Sequence, residues 1–438
     1  MELISGFSKL TKEEKISWLA LQYPKKNLDQ TLNNFLHQDK NIQKNLDEFS
    51  ENTISNFYLP YGIIPNFILN GKNHAIPMVT EESSVVAASC KAAKFWSDKG
   101  GFHTEMVNNL KAGHVHFYWQ GDWERLQSFF ADQKQQLEKT LEPILKNMVK
   151  RGGGLSNLYL KNLSDKEPGF FQIFLELNTC DAMGANIINT CLEAIAKKWQ
   201  QIISSAQDLS ESERHIQIIM AIVSNYTPNC LVRAWVESPI AELGERPYGH
   251  APKEFAEKFY RAVRVAQIDT FRATTHNKGI MNGVDAVIIA TGNDFRAIEA
   301  GAHTYAAKDG HYQSLSSCEI KDNIFRFTLE MPIALGTVGG ITSLHPMAKT
   351  SLDILENPSA DELAQIACSV GLAQNFAALS SLVTSGIQKG HMKMHLKNIL
   401  IQEQATTQEV SESVEYFNDK TISYGAVKNF LQLIRAKH

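Results

Sequence analysis

The segment from residue 284 to residue 307 most constrains the fold, because an apolar run there meets a helical pattern across a polar turn. The apolar run 284–290 predicts a buried strand, and 295–307 predicts a helix. Asp294 takes the N-cap position of that helix. Mixed α and β enzymes often keep chemistry on such turns, so Asp294 is a candidate for both a cap and a catalytic acid. The predicted inward side of the helix consists of Ala297, Ile298, Gly301, Ala302 and Tyr305.

A single lysine precedes this predicted strand in an unusual setting. Lys278 is flanked by Asn277 and Gly279, and apolar chain follows within two residues. This setting predicts that Lys278 is not an ordinary solvated surface charge. Because the chain is expected to turn at both ends of the strand, Lys278 and Asp294 are able to approach each other beside it.

The composition excludes several classes of protein. The 438 residues are 43% hydrophobic and 21% charged, which is ordinary for a soluble protein of two or three domains. The net charge of −4 and the lack of basic runs argue against a nucleic-acid binder. No secretory signal and no run of about 20 apolar residues is evident, so no membrane span is expected. The six cysteines are scattered singly, which favours reduced thiols and a cytoplasmic protein.

The first part of the chain predicts helices and a hairpin. Residues 1–50 are polar, with short amphipathic helical patterns that suggest an outer arm. Asn70-Gly71 lies between two apolar runs, which is a strong hairpin signal. A helix is expected over 85–96, and Glu82 precedes it, either as an acid favoured by the helix dipole or in a functional role.

The remaining chain predicts an α+β fold with an inserted domain. Strands and helices alternate between 111 and 223, which indicates a small inserted α+β domain. The larger domain is expected to comprise 1–110 and 224–385, and a mostly helical segment 386–438 follows.

Common nucleotide and metal motifs do not fit. The Gly152-Gly153-Gly154 turn leads from a helix into a strand, the reverse of a Rossmann turn, and no Walker A sequence occurs. His391 and His395 lack the glutamate of a zinc protease, so no metal is expected. Asp181 and the small residues after it predict a helix start, which suits either an anion or tight packing.

Taken in order, seven segments resemble the class II 3-hydroxy-3-methylglutaryl-CoA (HMG-CoA) reductases. Each segment alone is weak, but the ordered set is specific and spans nearly the whole chain. It departs from the family at Ser83, where proline is common, and at Ser55, where glycine is common. The segments are Glu51-Asn52, residues 81–88, residues 181–186, residues 276–279, residues 291–294, Gly336-Thr337-Val338-Gly339-Gly340 and residues 386–392.

The resemblance implies reduction of the HMG-CoA thioester to mevalonate and free CoA by two reduced nicotinamides, through bound mevaldehyde. By match to the family motifs, the catalytic residues are Glu82, Lys278, Asp294 and His391. Lys278 would stabilise the oxyanion that forms as hydride arrives. Asp294, placed between Lys278 and Glu82, would keep the lysine charged and favour protonated Glu82. His391 would protonate the departing CoA thiolate, carried by a flap hinged at Gly386 and Gly390.

Substrate and cofactor contacts follow from the same match. The residues implied in HMG binding are Ser84, Arg272 and Asn282. The residues implied in nicotinamide binding by a non-Rossmann small domain are Asp181, Met183, Gly184, Asn186 and Asn225. The cofactor is NADH or NADPH; Lys146, Lys150 and Arg151 near the glycine turn favour NADPH, although they also suit a solvated helix end.

The resemblance also implies a homodimer with the active site between subunits, and possibly a hexamer of dimers. The partner class is a small-molecule substrate, with neither nucleic acid nor membrane. Two alternatives remain open: a catalytically silent CoA- or nucleotide-binding regulator on the same scaffold, and a Schiff-base enzyme that uses Lys278. The sequence leaves open whether the reaction makes or degrades mevalonate.

Overall fold

The N-terminal arm consists of short helices, as predicted. The computed structural model describes residues 3–24, 26–244, 249–384, 396–418 and 420–436. The arm contains α1 (Lys12–Gln22), α2 (Leu28–Asn34) and α3 (Lys40–Asp47). A capping box formed by Thr11 and Glu14 starts α1, and an ion pair between Lys12 and Asp47 ties α1 to the end of α3.

The predicted hairpin is confirmed. Strands β1 (Tyr61–Leu69) and β2 (Lys72–Val79) pair antiparallel. Asn70 and Gly71 connect them with φ of 48° and 80°, the left-handed conformations that tight hairpin turns require. Helix α4 (Val85–Trp96) follows within the predicted bounds and packs on β1.

A four-stranded antiparallel sheet lies at the centre of the larger unit, in the order β3, β8, β10, β9. Its helices cover a single apolar core that also includes the hairpin and α4. The strands are β3 (His103–Met106), β8 (Leu231–Pro239), β9 (Ser316–Lys321) and β10 (Ile324–Pro332). The helices are α7 (Pro252–Ile268), α8 (Thr270–Ala290), α9 (Phe295–Ala306), α10 (Gly340–Leu344), α11 (Pro346–Ile354) and α12 (Ala360–Leu382).

The strand predicted over 284–290 is wrong, because these residues form the last two turns of α8. Most of these residues are buried and Asp285 is the one polar side chain among them, so the sequence shows no polar face from which a helical period could be recognised. Gly283 allows the close approach of α12, since a Cβ at this position would lie 2.7 Å from the Val370 carbonyl oxygen. Helix α9 and its predicted inward residues are confirmed.

The chain between 110 and 223 forms a second unit with its own core. All its strands pair antiparallel, in the order β5, β6, β4, β7, and the two helices supply the apolar side chains that cover one face. The predicted strands and helices are confirmed within a few residues. The elements are β4 (Leu110–Trp119), α5 (Trp123–Val149), β5 (Gly154–Asn162), β6 (Phe170–Asn178), α6 (Ala185–Ser205) and β7 (Ile216–Val223).

The C-terminal residues form a third apolar cluster around α13 (Thr407–Tyr416) and α14 (Tyr424–Arg435). Together with the helical residues 396–402, these helices agree with the predicted helical segment.

Helix α12 qualifies as a membrane span by length and composition, contrary to the prediction that no segment approaches this character. However, 89% of its apolar window is buried inside the protein, as is usual for the central helix of a packed core.

Candidate active site

A cleft of about 1220 Å³ separates the large unit from the small one. The large unit contributes the end of β2 and residues 80–82 after it, one face of α8, the start of α9 and residues 338–342. The small unit contributes the end of α5 and the start of α6. Several of the sequence-predicted residues therefore share one cleft, although they come from distant parts of the chain.

Helix α8 presents polar groups to the cleft at positions 278, 282 and 285, which share one face because they are four and three residues apart. The Lys278 ammonium forms an ion pair with the Glu82 carboxylate. The Asn282 amide donates to the same carboxylate oxygen at 3.4 Å. The predicted withdrawal of Lys278 from solvent is wrong for the single chain, since its side chain is 59% exposed.

Asp294 lines the same cleft and caps α9, as predicted. Its Oδ1 atom accepts from the backbone N–H groups of Arg296, at 3.1 Å, and Ala297, at 3.3 Å. The Arg296 guanidinium also pairs with it at 3.3 Å. Among the described residues Asp294 forms no ion pair with Lys278, so its predicted place between Lys278 and Glu82 is wrong in this arrangement. The capping bonds direct the carboxylate towards its own helix instead.

Sequence reasoning missed a pair of carboxyl groups on the cleft wall. Asp285 lies on α8 opposite Glu299 of α9, within hydrogen-bonding reach. Burial, followed by the charge and hydrogen bond of Glu299 and the charge of Glu81, raises the pKa of Asp285 to about 8. The sequence signal that could have revealed Asp285 is an aspartate inside an apolar run, three residues after Asn282. Throughout the described residues no group of three metal-ligating side chains has the arrangement of a metal site.

The start of α6 forms the opposite rim of the cleft. Met183, Gly184 and Asn186 line it, together with Ala185 between them. The predicted N-cap, Asp181, is wrong because α6 begins at Ala185 with Gly184 as its N-cap, at a φ of 94°. No side chain caps this end within the described chain, so the first backbone N–H groups are available to an anion.

Asp181 instead joins this loop to the large unit. Its Oδ1 atom accepts from the Ala360 N–H at the start of α12, at 2.9 Å, and its carbonyl oxygen accepts from the Thr337 N–H at 2.9 Å. Asp181 itself lies outside the set of residues that line the cleft.

The other predicted residues lie at various distances from the cleft. Ser84 is the N-cap of α4, with a φ of 75°, two residues beyond Glu82. Arg272 is half-buried in the first turn of α8 and does not line the cleft, and burial lowers its pKa. Asn225 lines a smaller cavity behind the cleft. His391 falls outside the described residues, as do the hinge glycines proposed beside it.

Of the three basic residues predicted near the glycine turn, the cleft includes one. Arg151 lines it beside Asn147 and Met148, whereas Lys146 and Lys150 do not. A guanidinium therefore lies on the small-unit side of the cleft.

Comparison with known proteins decides the family. A sequence model described as hydroxymethylglutaryl-coenzyme A reductase matches residues 13–396. The chain belongs to this family. It is 36% identical to the HMG-CoA reductase of Archaeoglobus fulgidus over 99% of this chain and 95% of that protein. A probable HMG-CoA reductase of Borreliella burgdorferi is 33% identical over 91% of this chain and 89% of that protein.

Solved structures of the family have the same fold. The class II HMG-CoA reductase of Streptococcus pneumoniae, bound to NADPH in open conformations, is similar with a TM-score of 0.73 and 36% identity. That similarity covers 97% of this chain and 100% of the other. A second structure from the same organism has a TM-score of 0.73, 37% identity, and coverage of 98% and 100%. The resemblance inferred from the ordered motifs is thus confirmed.

Proposed function

We propose that this chain reduces the thioester of HMG-CoA to mevalonate and free CoA with two molecules of NAD(P)H. The observation that carries the proposal is the pairing of Lys278 with Glu82 in a cleft whose opposite rim is the uncapped start of α6. A cation and an acid on one rim, facing a helix start suited to phosphate on the other, match the needs of a nicotinamide-dependent reductase.

Lys278 stabilises the developing oxyanion. Hydride addition converts a carbonyl oxygen into an alkoxide, and an ammonium fixed beside that oxygen lowers the barrier because the charge develops in the transition state. A helix holds the lysine, so its backbone is already in place before substrate binds. Asn282, one turn along, adds a neutral donor on the same face.

Glu82 is the proton donor to the reduced oxygen, a role that it takes once Asp294 replaces it as the partner of Lys278 and the second carboxylate favours protonated Glu82. Asp294 takes part after a change of partner. Its present partner, Arg296, has a side chain that is 76% exposed, and an exposed ion pair contributes little free energy. Asp294 can therefore exchange Arg296 for Lys278 at little cost when substrate occupies the cleft.

His391 is proposed to protonate the CoA thiolate, as the motif match implies. The proposed flap over 386–438, with Gly386 and Gly390 as hinges, brings it to the cleft. A histidine suits this step because its ordinary pKa lies close to neutral pH.

The nicotinamide cofactor fits the rim formed by the small unit. Reduced nicotinamide supplies the hydride, and the chain supplies Met183, Gly184 and Asn186 at the helix start, where small residues allow close approach. Asp181 and Asn225 are further proposed cofactor contacts from the motif match; Asp181 precedes this rim in the chain, and Asn225 lines the smaller cavity that Met183 also borders. Arg151 lines the cleft, and we propose that it pairs with a 2′-phosphate, which favours NADPH over NADH.

Ser84 and Arg272 are proposed to bind the HMG group within a homodimer. Arg272 stands away from this chain's own cleft, while its neighbours Phe271 and Ile268 are 89% and 71% exposed. Exposed apolar groups of this size mark an interaction surface, so a second subunit is proposed to cover them and complete the site. A hexamer of dimers would extend the same arrangement.

The domain boundaries and location are also proposals. We place the large domain at 1–110 and 224–385 and the small domain at 111–223, supported by two separate apolar cores. A cytoplasmic enzyme is supported by six unpaired cysteines.

The test is the loss of NADPH absorbance with HMG-CoA as substrate. Lys278→Ala should abolish turnover while the far-ultraviolet circular dichroism is retained. The matched control is Lys258→Ala, a lysine that pairs with Glu254 on the surface of α7. Near-normal turnover of Lys278→Ala would contradict the proposal, as would borohydride trapping of a Schiff base on Lys278.

A further inference from the structure

Lys111 is a buried lysine that the proposed mechanism does not use. It lies on β4 and is 5% exposed. Its ammonium donates to three oxygens: the Thr179 hydroxyl at 2.8 Å, the Ala182 carbonyl at 2.6 Å and the Leu335 carbonyl at 3.0 Å. A charged lysine has three N–H donors, so every one is used. Burial lowers the pKa of Lys111, because a charged ammonium is costly to remove from water. The three hydrogen bonds offset this cost.

Two of these acceptors lie on the loop that leads into α6. The Thr179 hydroxyl accepts from Lys111 and donates to the Ala182 carbonyl at 2.7 Å, so lysine and threonine hold the same carbonyl oxygen. The next residues, Met183 and Gly184, line the cleft on the proposed cofactor rim. Lys111 therefore holds this rim from behind, because it bonds to the lining residue Ala182 without lining the cleft itself.

The third acceptor belongs to the facing wall. Gly336 follows Leu335 and donates its N–H to the Asn293 side chain at 2.9 Å, next to Asp294. A Cβ on Gly336 would lie only 2.4 Å from the Met183 nitrogen, so the two walls touch backbone to backbone. One ammonium thus joins the loop before α6 to the segment that positions the Asp294 turn.

We propose that Lys111 is a positioning residue that holds the cofactor rim at the correct distance from the catalytic turn. The proposal rests on the proposed nicotinamide-dependent function. Without the ammonium, the Thr179–Gly184 loop loses two bonds to the rest of the protein, and its amides no longer present one fixed arrangement to the cofactor. The binding of nicotinamide then weakens more than the binding of HMG-CoA.

The experiment compares Lys111→Met with two further substitutions. Thr179→Val removes the bridging hydroxyl, and Thr179→Ser keeps it. Leu158→Ala is the matched control, because Leu158 is 1% exposed in the core of the same unit but touches none of these bonds. The measurements are the Kd of NADPH from its fluorescence, the KM values for NADPH and HMG-CoA, and hydrogen exchange over 179–187 and 335–342.

Lys111→Met and Thr179→Val should raise the Kd and KM for NADPH about tenfold or more, equivalent to one lost hydrogen bond. Their KM for HMG-CoA should stay near the parent value. Exchange should rise in both segments, whereas Thr179→Ser and Leu158→Ala should leave exchange and NADPH binding nearly unchanged. If Lys111→Met does not fold, the comparison of Thr179→Val with Thr179→Ser alone tests the positioning role.

Equal NADPH affinity in Thr179→Val and Thr179→Ser would overturn the positioning role. So would a loss of affinity in Leu158→Ala that matches the loss in Lys111→Met. Failure of the proposed function looks different, because the parent protein itself would then neither bind NADPH nor oxidise it with HMG-CoA.

Discussion

The carboxyl pair on the cleft wall gives a prediction that runs against ordinary expectation: Asp285→Asn should stabilise the protein at neutral pH. Asp285 has a pKa raised from 3.8 to about 8, chiefly by burial. In the unfolded chain the group is ionised at pH 7, and folding forces it to take up a proton. Asparagine has nearly the same shape, carries no charge and can donate to Glu299.

The magnitude follows from the two pKa values. Taking up a proton at pH 7 on a group whose unfolded pKa is 3.8 costs about 1.4 kcal/mol for each of roughly three pH units, or about 4 kcal/mol. The side chain borders an open cleft, and screening by solvent reduces this figure. We therefore expect a gain of about 2 to 4 kcal/mol in the free energy of unfolding.

The same two pKa values determine how the stability gain changes with pH. Between pH 3.8 and about 8 the native protein binds a proton that the unfolded chain does not, so this group makes stability fall as pH rises. The gain from Asp285→Asn should be near zero at pH 4 and should grow up to about pH 8.

Urea unfolding of both proteins between pH 5 and pH 8 measures this difference. The control is Asp322→Asn, an exposed residue of the turn between β9 and β10 with a φ of 50°, for which no gain is expected. A gain that does not change with pH, or a loss of stability at pH 7, would refute the reasoning.

Four further results are expected. Glu82→Gln should lower kcat by about 10² or more, because a proton donor is lost, and equal turnover in stopped-flow assays would exclude that role. Arg151→Ala should raise the KM for NADPH about tenfold and leave that for NADH unchanged, as steady-state kinetics can check. Gly336→Ala should cost about 1 to 3 kcal/mol in thermal unfolding, since its Cβ would meet the Met183 nitrogen at 2.4 Å. Phe271→Asp should shift the protein towards monomer in analytical ultracentrifugation, and an unchanged mass would argue against that surface as the subunit contact.

Local patterns predicted most elements well where the chain alternates between buried and exposed positions. The periodicity is visible in α4, in α9 and in the strands of the small unit, because each has a more buried and a less buried side. The hairpin was predicted from its Asn70-Gly71 turn. The last two turns of α8 were not recognised as helix because residues 284–290 are apolar except for Asp285, so no helical period is visible there. A short run that is nearly all apolar looks the same whether it forms a strand or a helix.

The members of the site were predicted better than their contacts. The ordered motifs indicated Glu82 and Lys278, which do meet, since the matched segments carry the residue types of the family. The partners of Asp294 and the burial of Asp285 depend on how α8 and α9 pack, and no spacing in the sequence encodes that. Lys111 gave no signal at all, because its three acceptors include two backbone carbonyls that any residue could supply.

The location of Lys278 on a long core helix limits how this protein can vary in length. An α-helix turns about 100° per residue, so one residue inserted between Lys278 and Gly283 would swing the ammonium away from Glu82 or force Gly283 off the Val370 carbonyl. Insertions and deletions between Lys278 and Gly283 should therefore impair activity or packing, whereas the hairpin turns can accommodate them. A variant with one residue added or removed there should at best fold without reductase activity.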